Sequence, residues 1–579
     1  MRFTPWVLSL CLIGLSQSVL AKTPLEVGEP EAATGIQTVR LVEGKQWLAA
    51  TANPHASQAA AEQLRNGGSA IDAAIAAQTM LTLTEPQSSG IGGGFFMMFW
   101  DAKAKKLHTL DARETAPMSA DASQYVEADG KRSTWRQAIV GGRSVGVPGA
   151  VQGLWDAHQR WGKLPWKASF QPAIQKSIDG FAVSPRLHKL LAARIHPGFE
   201  RDGAAADYFY PKGEPLAIGH QLKNPELAES LRLVANYGPA GFYQGQLAKQ
   251  IVTAVQNDPD YPGRLSLTDM ADYQVRWREP LCGDYRQFSV CGMGPPSSGA
   301  VTIAQILGIL AHQDVASMPV NGLEFVHWFS QASRLAYADR NKFVADPDFN
   351  DTPIEQMLDP QYLKSRWQLI DQAKDGGVRR AGISQGIYVS AKAFELPSTS
   401  HMVFKDSEGN LVSLTSSIEM GFGSSVMVGG FLLNNQLTDF TLSADSGDIT
   451  VANRLQGGKR PRSSMAPTIV FDDKGQPILA VGSPGGSRII NYVAQAVIAS
   501  LDWQLPLDQV MALPRVTNRN DYTALEVDTG LEKLQPQLEQ MGHKVRVVPL
   551  NSGIQAIQFK DGRWFGSADP RREGLVVAE

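Results

Sequence analysis

Hydrophobic and polar positions change their spacing along the chain, and these changes divide it into three stretches. The first combines alanine-rich helical spacing with apolar runs typical of buried strands, and the middle, from about 148 to 380, keeps helical spacing. From residue 399 onward short β-rich runs dominate. The pattern predicts helices at 55–64, 70–80, 151–161, 225–237, 301–310 and 487–501. It predicts strands at 95–100, 107–110, 400–404, 411–416, 431–433, 468–471 and 478–481. Strands at both ends with helices between them indicate one layered domain assembled from both halves of the chain.

The composition is that of an ordinary globular protein with a large core. The chain has 579 residues, of which 43% are hydrophobic and 19% are charged, and its formal net charge is −3. This charge gives no indication of a nucleic-acid partner or of an anionic membrane surface. Because single α/β domains can be long, the length does not by itself require several domains.

The first 21 residues have the organisation of a signal peptide. Arg2 provides a positive start, 6–15 is a short apolar run, and Val19-Leu20-Ala21 is a small-residue cleavage pattern. An uncleaved anchor is the alternative, but the run is shorter than the roughly 20 residues that span a bilayer. We therefore expect a periplasmic or secreted protein with no membrane partner after signal cleavage.

Two cysteines remain after signal cleavage, because Cys11 lies in the signal peptide. Cys282 and Cys291 form an even pair in an oxidising compartment, and the stretch 283–287 is able to turn one strand back on another. A disulfide in so short a loop would stabilise the fold by roughly 2–3 kcal/mol. Two buried thiols are the alternative. A metal site is not expected, since no nearby cysteine or histidine completes a four-ligand set.

The sequence Pro397-Ser398-Thr399-Ser400-His401 lies at the start of a predicted strand and indicates a self-cleavage site. Cleavage between Ser398 and Thr399 would give Thr399 a free α-amine beside its own hydroxyl. An α-amine has a pKa near 7.7–8.0, so a useful fraction is neutral and able to accept the hydroxyl proton. Thr399 would then be both nucleophile and base. Taken alone, the threonine would be an ordinary strand residue, and we interpret His401 as strand packing or an aid to cleavage.

Two further positions provide surroundings suited to a nucleophile. Ser417 follows the next predicted strand and offers a hydroxyl that could orient Thr399. The segment 483–487, Ser-Pro-Gly-Gly-Ser, immediately precedes a predicted helix. Bare backbone N–H groups at a helix start form a natural oxyanion hole.

In their order and combination, these motifs resemble those of γ-glutamyltransferase (γ-glutamyltranspeptidase) precursors, of the N-terminal-nucleophile hydrolase superfamily. The resemblance covers nearly all of the mature chain and is carried by 85–95, 111–117, 295–299, 399–401, 433–436, 459–465 and 482–488. It implies an α+β fold, a four-layer αββα sandwich. It also implies a precursor that splits into a large fragment, 22–398, and a small fragment, 399–579. The two would stay associated as a heterodimer in one intertwined domain, because their strands share sheets.

The resemblance also assigns roles to individual residues. It implies that Thr399 attacks the γ-amide of glutathione or a related γ-glutamyl compound, and that the γ-glutamyl ester passes to water, an amino acid or a peptide without a metal or cofactor. The oxyanion is expected at Gly485 and Gly486. The substrate α-carboxylate is expected at Arg113, Ser463 and Ser464, since a guanidinium and two hydroxyls suit a carboxylate. The α-ammonium is expected at Gln436, Asp439 and Glu419.

The chain departs from the family pattern at three places. Glu419 stands where well-known members have asparagine, so we expect the ammonium contact to survive with altered strength. Ser417 stands where threonine is usual, and the hydroxyl is retained. The stretch 440–462 is short and contains no Tyr or Trp, which predicts a shorter or more open cover over the pocket. At its end, we expect the basic residues Lys459, Arg460 and Arg462 in a solvated loop.

Three alternatives remain open from the sequence. One is an amidase of the same fold with another acyl group, such as a cephalosporin acylase. Another is an uncleaved, non-catalytic solute-binding homologue. The third is a serine hydrolase that uses Ser144 in the G-x-S-x-G segment 142–146, although no Asp or His is marked as its partner and we favour a structural turn. The glycine-rich run 90–95 leads into a strand rather than a helix, which argues against dinucleotide binding.

Overall fold

The computed structural model describes residues 38–384, 388–391, 398–442 and 450–579. The predicted signal peptide and Cys11 lie outside the described residues, as does 443–449 in the predicted cover. Across the described ranges, no helix combines the length and the apolarity needed to cross a membrane.

Two antiparallel sheets form the centre of the molecule, and within the described residues each has seven strands. In spatial order, the first sheet contains Leu575–Ala578, Leu48–Thr51, Thr399–Lys405, Leu411–Ser417, Gly94–Asp101, Lys106–Ala112 and Arg276–Arg278. The second contains Val42–Gly44, Arg563–Ala568, Gln555–Lys560, Pro477–Gly482, Thr468–Phe471, Phe288–Gly292 and Leu281–Tyr285. Smaller sheets are formed by Val516–Asn518, Thr523–Glu526 and Val545–Val548, by Phe181–Ala182 and Gln221–Leu222, and by Met427–Val428 and Phe431–Leu432.

Apolar side chains fill the space between the two sheets and also cover their outer faces. Between the sheets, Leu48 and Val403 of the first meet Ile469 and Ile557 of the second. The outer face of the first sheet packs against the helices Pro54–Arg65, Ala70–Thr84 and Ala150–Trp161. The same apolar cluster continues into the helices Gln171–Asp179, Pro185–Ala192, Pro225–Tyr237 and Gly245–Gln256. The outer face of the second packs against Gly299–Leu310, Leu323–Phe343, Ile489–Leu501 and Leu507–Ala512. Shorter helices are Trp135–Ala138, Ala204–Phe209, Ala240–Tyr243, Leu267–Asp272, Ile354–Leu358, Pro360–Trp367 and Gln535–Gln540. The predicted α+β, four-layer αββα arrangement is confirmed.

Several helices begin where the sequence provides a cap. Ser69 caps Ala70–Thr84 and forms a capping box with Asp72. Asn53 and Asn224 cap the helices Pro54–Arg65 and Pro225–Tyr237, each of which starts with proline. These local signals explain why the helix boundaries follow the sequence pattern closely.

Both sheets combine strands from before and after Ser398. In the first sheet, Thr399–Lys405 lies between Leu48–Thr51 and Leu411–Ser417, and the C-terminal strand Leu575–Ala578 pairs with the other edge of Leu48–Thr51. In the second sheet, Thr468–Phe471 pairs with a strand from each half of the chain. Separating the halves would therefore expose unpaired strand edges in both sheets.

The two cysteines face each other on adjacent strands of the second sheet. The register pairs Cys282 with Cys291, their Cα atoms are 4.0 Å apart, and the structure joins them by a disulfide. The turn 286–287 between the strands reverses the chain, as the sequence pattern indicated.

Candidate active site

Thr399 is the first residue of a fully buried strand at the centre of the first sheet. Successive side chains of a strand point to opposite faces, so Phe404 packs under the helices while Val403 faces the second sheet. Thr399 shares the face of Val403. It is 3% exposed and lies at the end of the space between the sheets.

The antiparallel register places Ser417 directly opposite Thr399. The Ser417 Oγ accepts a hydrogen bond from Thr399 Oγ1 at 3.3 Å and another from the Glu419 backbone N–H at 2.9 Å. The Ser417 hydroxyl in turn donates a hydrogen bond to the carbonyl oxygen of Ser398 at 2.8 Å. The hydroxyl thus polarises the carbonyl of the bond that the sequence marks for cleavage, and it holds the Thr399 hydroxyl close to that bond.

A small pocket opens beside Thr399. Its lining consists of Arg113, Thr399, Ser417, Glu419, Gln436, Asp439, Ser463, Ser464, Met465, Gly486 and Ile489. The structure therefore brings together all the residues expected to bind substrate and most of the expected catalytic residues, while Gly485 lies outside this lining. Met465 and Ile489 were not predicted as lining residues, although Met465 ends the family-like segment 459–465 and Ile489 directly follows 482–488.

Arg113 provides the cation of the pocket. It follows the strand Lys106–Ala112, is 1% exposed, and donates to the Asp439 carboxylate and to the carbonyls of Pro461 and Arg462 at 3.3 and 3.2 Å. Burial lowers the pKa of Arg113, but nearby carboxylates, Asp439 first among them, raise it by more. The guanidinium therefore stays charged and suits a substrate carboxylate.

Glu114, next to Arg113, is fully buried in the same region. Its carboxyl lies 3.7 Å from the Arg113 Nη1, and burial raises the pKa of Glu114 to about 8. At neutral pH the carboxyl is therefore mostly protonated, which leaves more of the Arg113 charge to a bound carboxylate.

Next to Arg113, one wall of the pocket is built from acceptors. The Gln436 Nε2 donates to the carboxylates of Glu419 and Asp439, at 2.9 and 2.8 Å. Because carboxylates only accept, these contacts fix the amide so that its nitrogen faces them. Among the described residues, the buried Gln436 Oε1 has no hydrogen-bond partner. A carbonyl oxygen and two carboxylates form a wall suited to an ammonium group.

The expected oxyanion loop has backbone angles that require glycine. Gly485 has a φ of +135° and Gly486 a φ of +56°, and a Cβ at Gly485 would lie 2.6 Å from the Tyr492 ring. A short 3₁₀ turn, Gly486–Arg488, then leads into the helix Ile489–Leu501. The loop thus presents bare backbone N–H groups at a helix start, next to the pocket.

Two buried arginines that no sequence motif indicated contact residues of the pocket. Arg572 Nη1 donates to the Thr399 carbonyl at 3.1 Å, and Arg340 Nη2 donates to Ser464 Oγ at 2.6 Å. Each lies more than a hundred positions from its partner, so no local pattern or spacing could have revealed the contact.

The expectation of a solvated basic loop is wrong. Lys459, Arg460 and Arg462 are 0%, 3% and 1% exposed. The Lys459 Nζ donates to the Ala452 carbonyl at 2.7 Å, and Arg460 Nε lies 3.3 Å from Asp111. Burial lowers the pKa of Lys459 to about 8. The segment is buried because it runs beside the pocket, where its carbonyls accept from Arg113.

Two other residues considered for chemistry lie in the core, outside the pocket lining. Ser144 is fully buried; its Oγ donates to the Ala138 carbonyl and accepts from the Tyr125 hydroxyl at 3.2 Å. His401 is also fully buried, with its Nδ1 2.9 Å from Thr415 Oγ1, and burial lowers its pKa to about 3. A neutral, enclosed imidazole fits strand packing.

Comparisons with known proteins agree with this geometry. A family model described as "Gamma-glutamyltranspeptidase" matches residues 56–579. The chain is 36% identical to the "Glutathione hydrolase proenzyme" of Bacillus subtilis (strain 168), over 92% of each chain. It is 34% identical to the protein of the same name from Escherichia coli (strain K12), over 92% of this chain and 91% of that protein. The crystal structure of a cephalosporin acylase from Bacillus halodurans superposes with a TM-score of 0.82 at 30% identity, covering 93% of this chain and 97% of that one.

Proposed function

Because the chain belongs to the gamma-glutamyltranspeptidase family, we propose that it is a self-processing γ-glutamyl transferase and hydrolase whose nucleophile is Thr399. One observation carries the proposal. The Thr399 hydroxyl is held beside the polarised Ser398 carbonyl, and it opens onto a pocket lined by a buried guanidinium and by two carboxylates.

In the proposed processing step, Thr399 Oγ1 attacks the carbonyl carbon of Ser398. The C–N bond breaks as the Thr399 nitrogen takes a proton, and an ester between Ser398 and Thr399 Oγ1 forms. Water then hydrolyses the ester, which leaves the Ser398 carboxylate and a free Thr399 amine. The Ser417 hydroxyl stabilises the developing oxyanion, because it already donates to that carbonyl oxygen.

In the proposed catalytic step, the free amine accepts the Thr399 hydroxyl proton while Oγ1 attacks the γ-amide carbon of glutathione or a related compound. The N–H groups of Gly485 and Gly486 stabilise the oxyanion. The Thr399 ammonium then gives its proton to the leaving nitrogen, the C–N bond breaks, the amine leaves, and a γ-glutamyl ester remains on Thr399. Water, an amino acid or a peptide resolves the ester. Arg113, Ser463 and Ser464 bind the α-carboxylate, and Glu419, Gln436 and Asp439 bind the α-ammonium.

A second candidate is an amidase that takes another acyl group, since the similar solved structure is a cephalosporin acylase. The acceptor wall argues against a glutaryl donor. Such a donor supplies a carboxylate for Arg113 but no ammonium group to donate to the acceptors Glu419, Gln436 and Asp439. The pocket therefore favours an acyl group that carries both charges.

The shared sheets support the proposal that the fragments 22–398 and 399–579 remain together as a heterodimer after cleavage. Export to the periplasm or the medium belongs to the same proposal and rests on the signal-like residues 1–21. We expect no nucleic-acid partner, since the net charge is only −3.

Intact mass spectrometry of the purified protein tests the proposed nucleophile. The wild type should give a fragment that begins at Thr399 and should hydrolyse γ-glutamyl-p-nitroanilide. Thr399→Ala should remain one chain and be inactive, because it has no hydroxyl to attack with. Ser144→Ala is the matched control and should still be cleaved and active. Processing of Thr399→Ala, or loss of activity in Ser144→Ala alone, would refute the assignment.

A further inference from the structure

The segment 295–299, Pro-Pro-Ser-Ser-Gly, has no part in the mechanism above, yet it holds the serines of the pocket. Ser463 donates its backbone N–H to the Pro296 carbonyl at 3.0 Å. In return, the backbone N–H and the Oγ of Ser298 both donate to the Ser463 carbonyl at 2.7 Å. The Ser297 Oγ donates to the Met465 carbonyl at 2.7 Å. Residues from before the cleavage site thus fix both ends of the serine pair.

Arg340 connects this segment to the pocket. It lies near the end of the helix Leu323–Phe343 and is 2% exposed. Its Nε donates to Ser298 Oγ at 2.8 Å, and its Nη2 donates to Ser464 Oγ at 2.6 Å. Its Nη1 donates to the Asn341 amide oxygen at 2.9 Å. One guanidinium therefore spans the supporting segment and the serine that lines the pocket.

The chemistry of these groups fixes the direction of each hydrogen bond. A guanidinium only donates, so both serine oxygens accept from Arg340. The Ser298 hydroxyl itself donates a hydrogen bond to the Ser463 carbonyl. The hydroxyl proton of Ser464 must point away from Arg340, and Ser464 lines the pocket. Arg340 also places a second positive charge behind Ser464. This charge adds to that of Arg113, which is partly neutralised by its ion pair with Asp439.

Resting on the function proposed above, we propose that Arg340 is a positioning residue that makes Ser464 a donor to the α-carboxylate of the acyl donor. It acts through Ser464 rather than by touching the substrate. Its contribution is therefore specific to donors that carry the α-carboxylate, and it belongs to binding more than to the chemical step.

Three p-nitroanilides separate this role from a general structural one. The γ-glutamyl compound carries both charges, the 4-aminobutyryl compound lacks the α-carboxylate, and the glutaryl compound lacks the α-ammonium. Arg340→Met keeps the length of the stem but removes the charge and the donors. We expect kcat/KM for the γ-glutamyl and glutaryl compounds to fall by about 10- to 100-fold, chiefly through KM, and that for the 4-aminobutyryl compound by less than about threefold. Where turnover is too slow, the inhibition constants of L-glutamate and 4-aminobutyrate give the same comparison.

Two further variants make the test specific. Arg340→Lys keeps the positive charge but loses the planar set of N–H donors. It should therefore retain part of the preference for the α-carboxylate that Arg340→Met loses. In a Ser464→Ala background, Arg340→Met should change KM by less than about threefold, because the group through which it acts is gone. Should Arg340→Met fail to fold, Arg340→Lys, alone and combined with Ser464→Ala, provides the same test.

Arg334→Met is the matched control on the same helix. Arg334 is 1% exposed and donates to Asp375 at 3.0 Å, away from the pocket lining. It should lower stability without changing the preference for the α-carboxylate. An equal fall for all three anilides in Arg340→Met, additivity with Ser464→Ala, or the same shift in Arg334→Met would overturn the inference. A wild type inactive on every γ-glutamyl donor would instead refute the proposed function.

Discussion

Glu419 has a backbone conformation that glutamate adopts rarely. Its φ is +77°, in the left-handed region, which costs a residue with a Cβ about 1–2 kcal/mol and which asparagine tolerates better. Its carboxylate accepts from Gln436 on the wall where we place the α-ammonium. A strained residue that carries a charge into a pocket is consistent with a functional constraint, since strain tends to persist where function uses it.

Two substitutions at this position separate the charge from the backbone strain. Glu419→Asn removes both, so we expect a gain of about 0.5–1 kcal/mol in the free energy of unfolding and a rise of about 3- to 10-fold in KM for γ-glutamyl-p-nitroanilide. Glu419→Gln removes the charge alone and should raise KM equally without the gain in stability. Urea unfolding and steady-state kinetics measure both. An unchanged KM in Glu419→Gln would show that the charge does not bind the donor.

At the scale of secondary-structure elements, the position of the proposed nucleophile depends on the register of two strands. The pairing of Thr399–Lys405 with Leu411–Ser417 sets Ser417 opposite Thr399, and a shift by one residue would turn Ser417 away from this face. Ser416 illustrates the alternation: its hydroxyl donates to the Gly94 carbonyl on the neighbouring strand at 3.1 Å. The register thus determines that Ser417, and not Ser416, reaches the Ser398 carbonyl.

This pairing predicts how processing responds to substitution. Ser417→Ala removes the donor to the Ser398 carbonyl, so we expect self-cleavage to slow by about 10²- to 10³-fold, as when one oxyanion donor is lost. Ser417→Thr retains the hydroxyl and should be cleaved at nearly the wild-type rate. Ser416→Ala is the control in the same strand. A denaturing gel followed over time measures the rates, and wild-type cleavage of Ser417→Ala would exclude the proposed role.

The elements were predictable from the sequence because their signals are local. The predicted bounds 225–237 and 468–471 agree with the structure, and the predicted strand 400–404 is one residue short at each end. An Asn cap and a Pro start define the helix at 225 without reference to the rest of the chain.

The site was predictable only in part, because its contacts are not local. Thr399 followed from the chemistry of its neighbours, whereas Arg113 and the serine pair came from a family resemblance. The burial of Arg460 depends on Asp111, which lies on a distant strand, so the local composition indicated a solvated loop. Arg340 has no motif of its own and became recognisable only from its contact with Ser464.

At the scale of the whole molecule, a pair of buried histidines links the two halves of the chain. His327 Nε2 lies 2.8 Å from the Asp371 carbonyl, so this nitrogen carries a proton. Burial lowers the pKa of both His327 and His543, so both rings are neutral at neutral pH. In the neutral pair, His327 Nδ1 accepts from His543 Nε2 at 2.8 Å, and the Thr523 hydroxyl donates to His543 Nδ1 at 3.0 Å. His327 and Asp371 precede the cleavage site, while His543 and Thr523 follow it.

This histidine pair makes stability depend on pH in a defined direction. Burial lowers the pKa of His543 to about 4, and that of His327 is also lowered, despite the neighbouring Asp375. An unfolded histidine titrates near 6.5, so between about 6.5 and 4 the unfolded chain binds more protons than the folded protein. The contribution of the pair is therefore complete above pH 6.5 and falls as the pH drops, by at most about 1.4 kcal/mol per pH unit for each ring. The fall due to His543 is complete near its folded pKa of about 4.

Acidification should therefore loosen the association of the two fragments, and replacing His543 should weaken that response. For the processed protein, we expect the free energy of unfolding of His543→Gln to be lower at pH 7 and flatter between pH 6.5 and 4 than that of the wild type. His312, which is exposed, provides the control His312→Gln, whose profile should follow the wild type. Urea titrations across this pH range measure the slopes, and size-exclusion chromatography at its acidic end reports whether the fragments separate. If the free energy of unfolding falls equally with pH in the wild type and in His543→Gln, the histidine pair does not cause the sensitivity to acid.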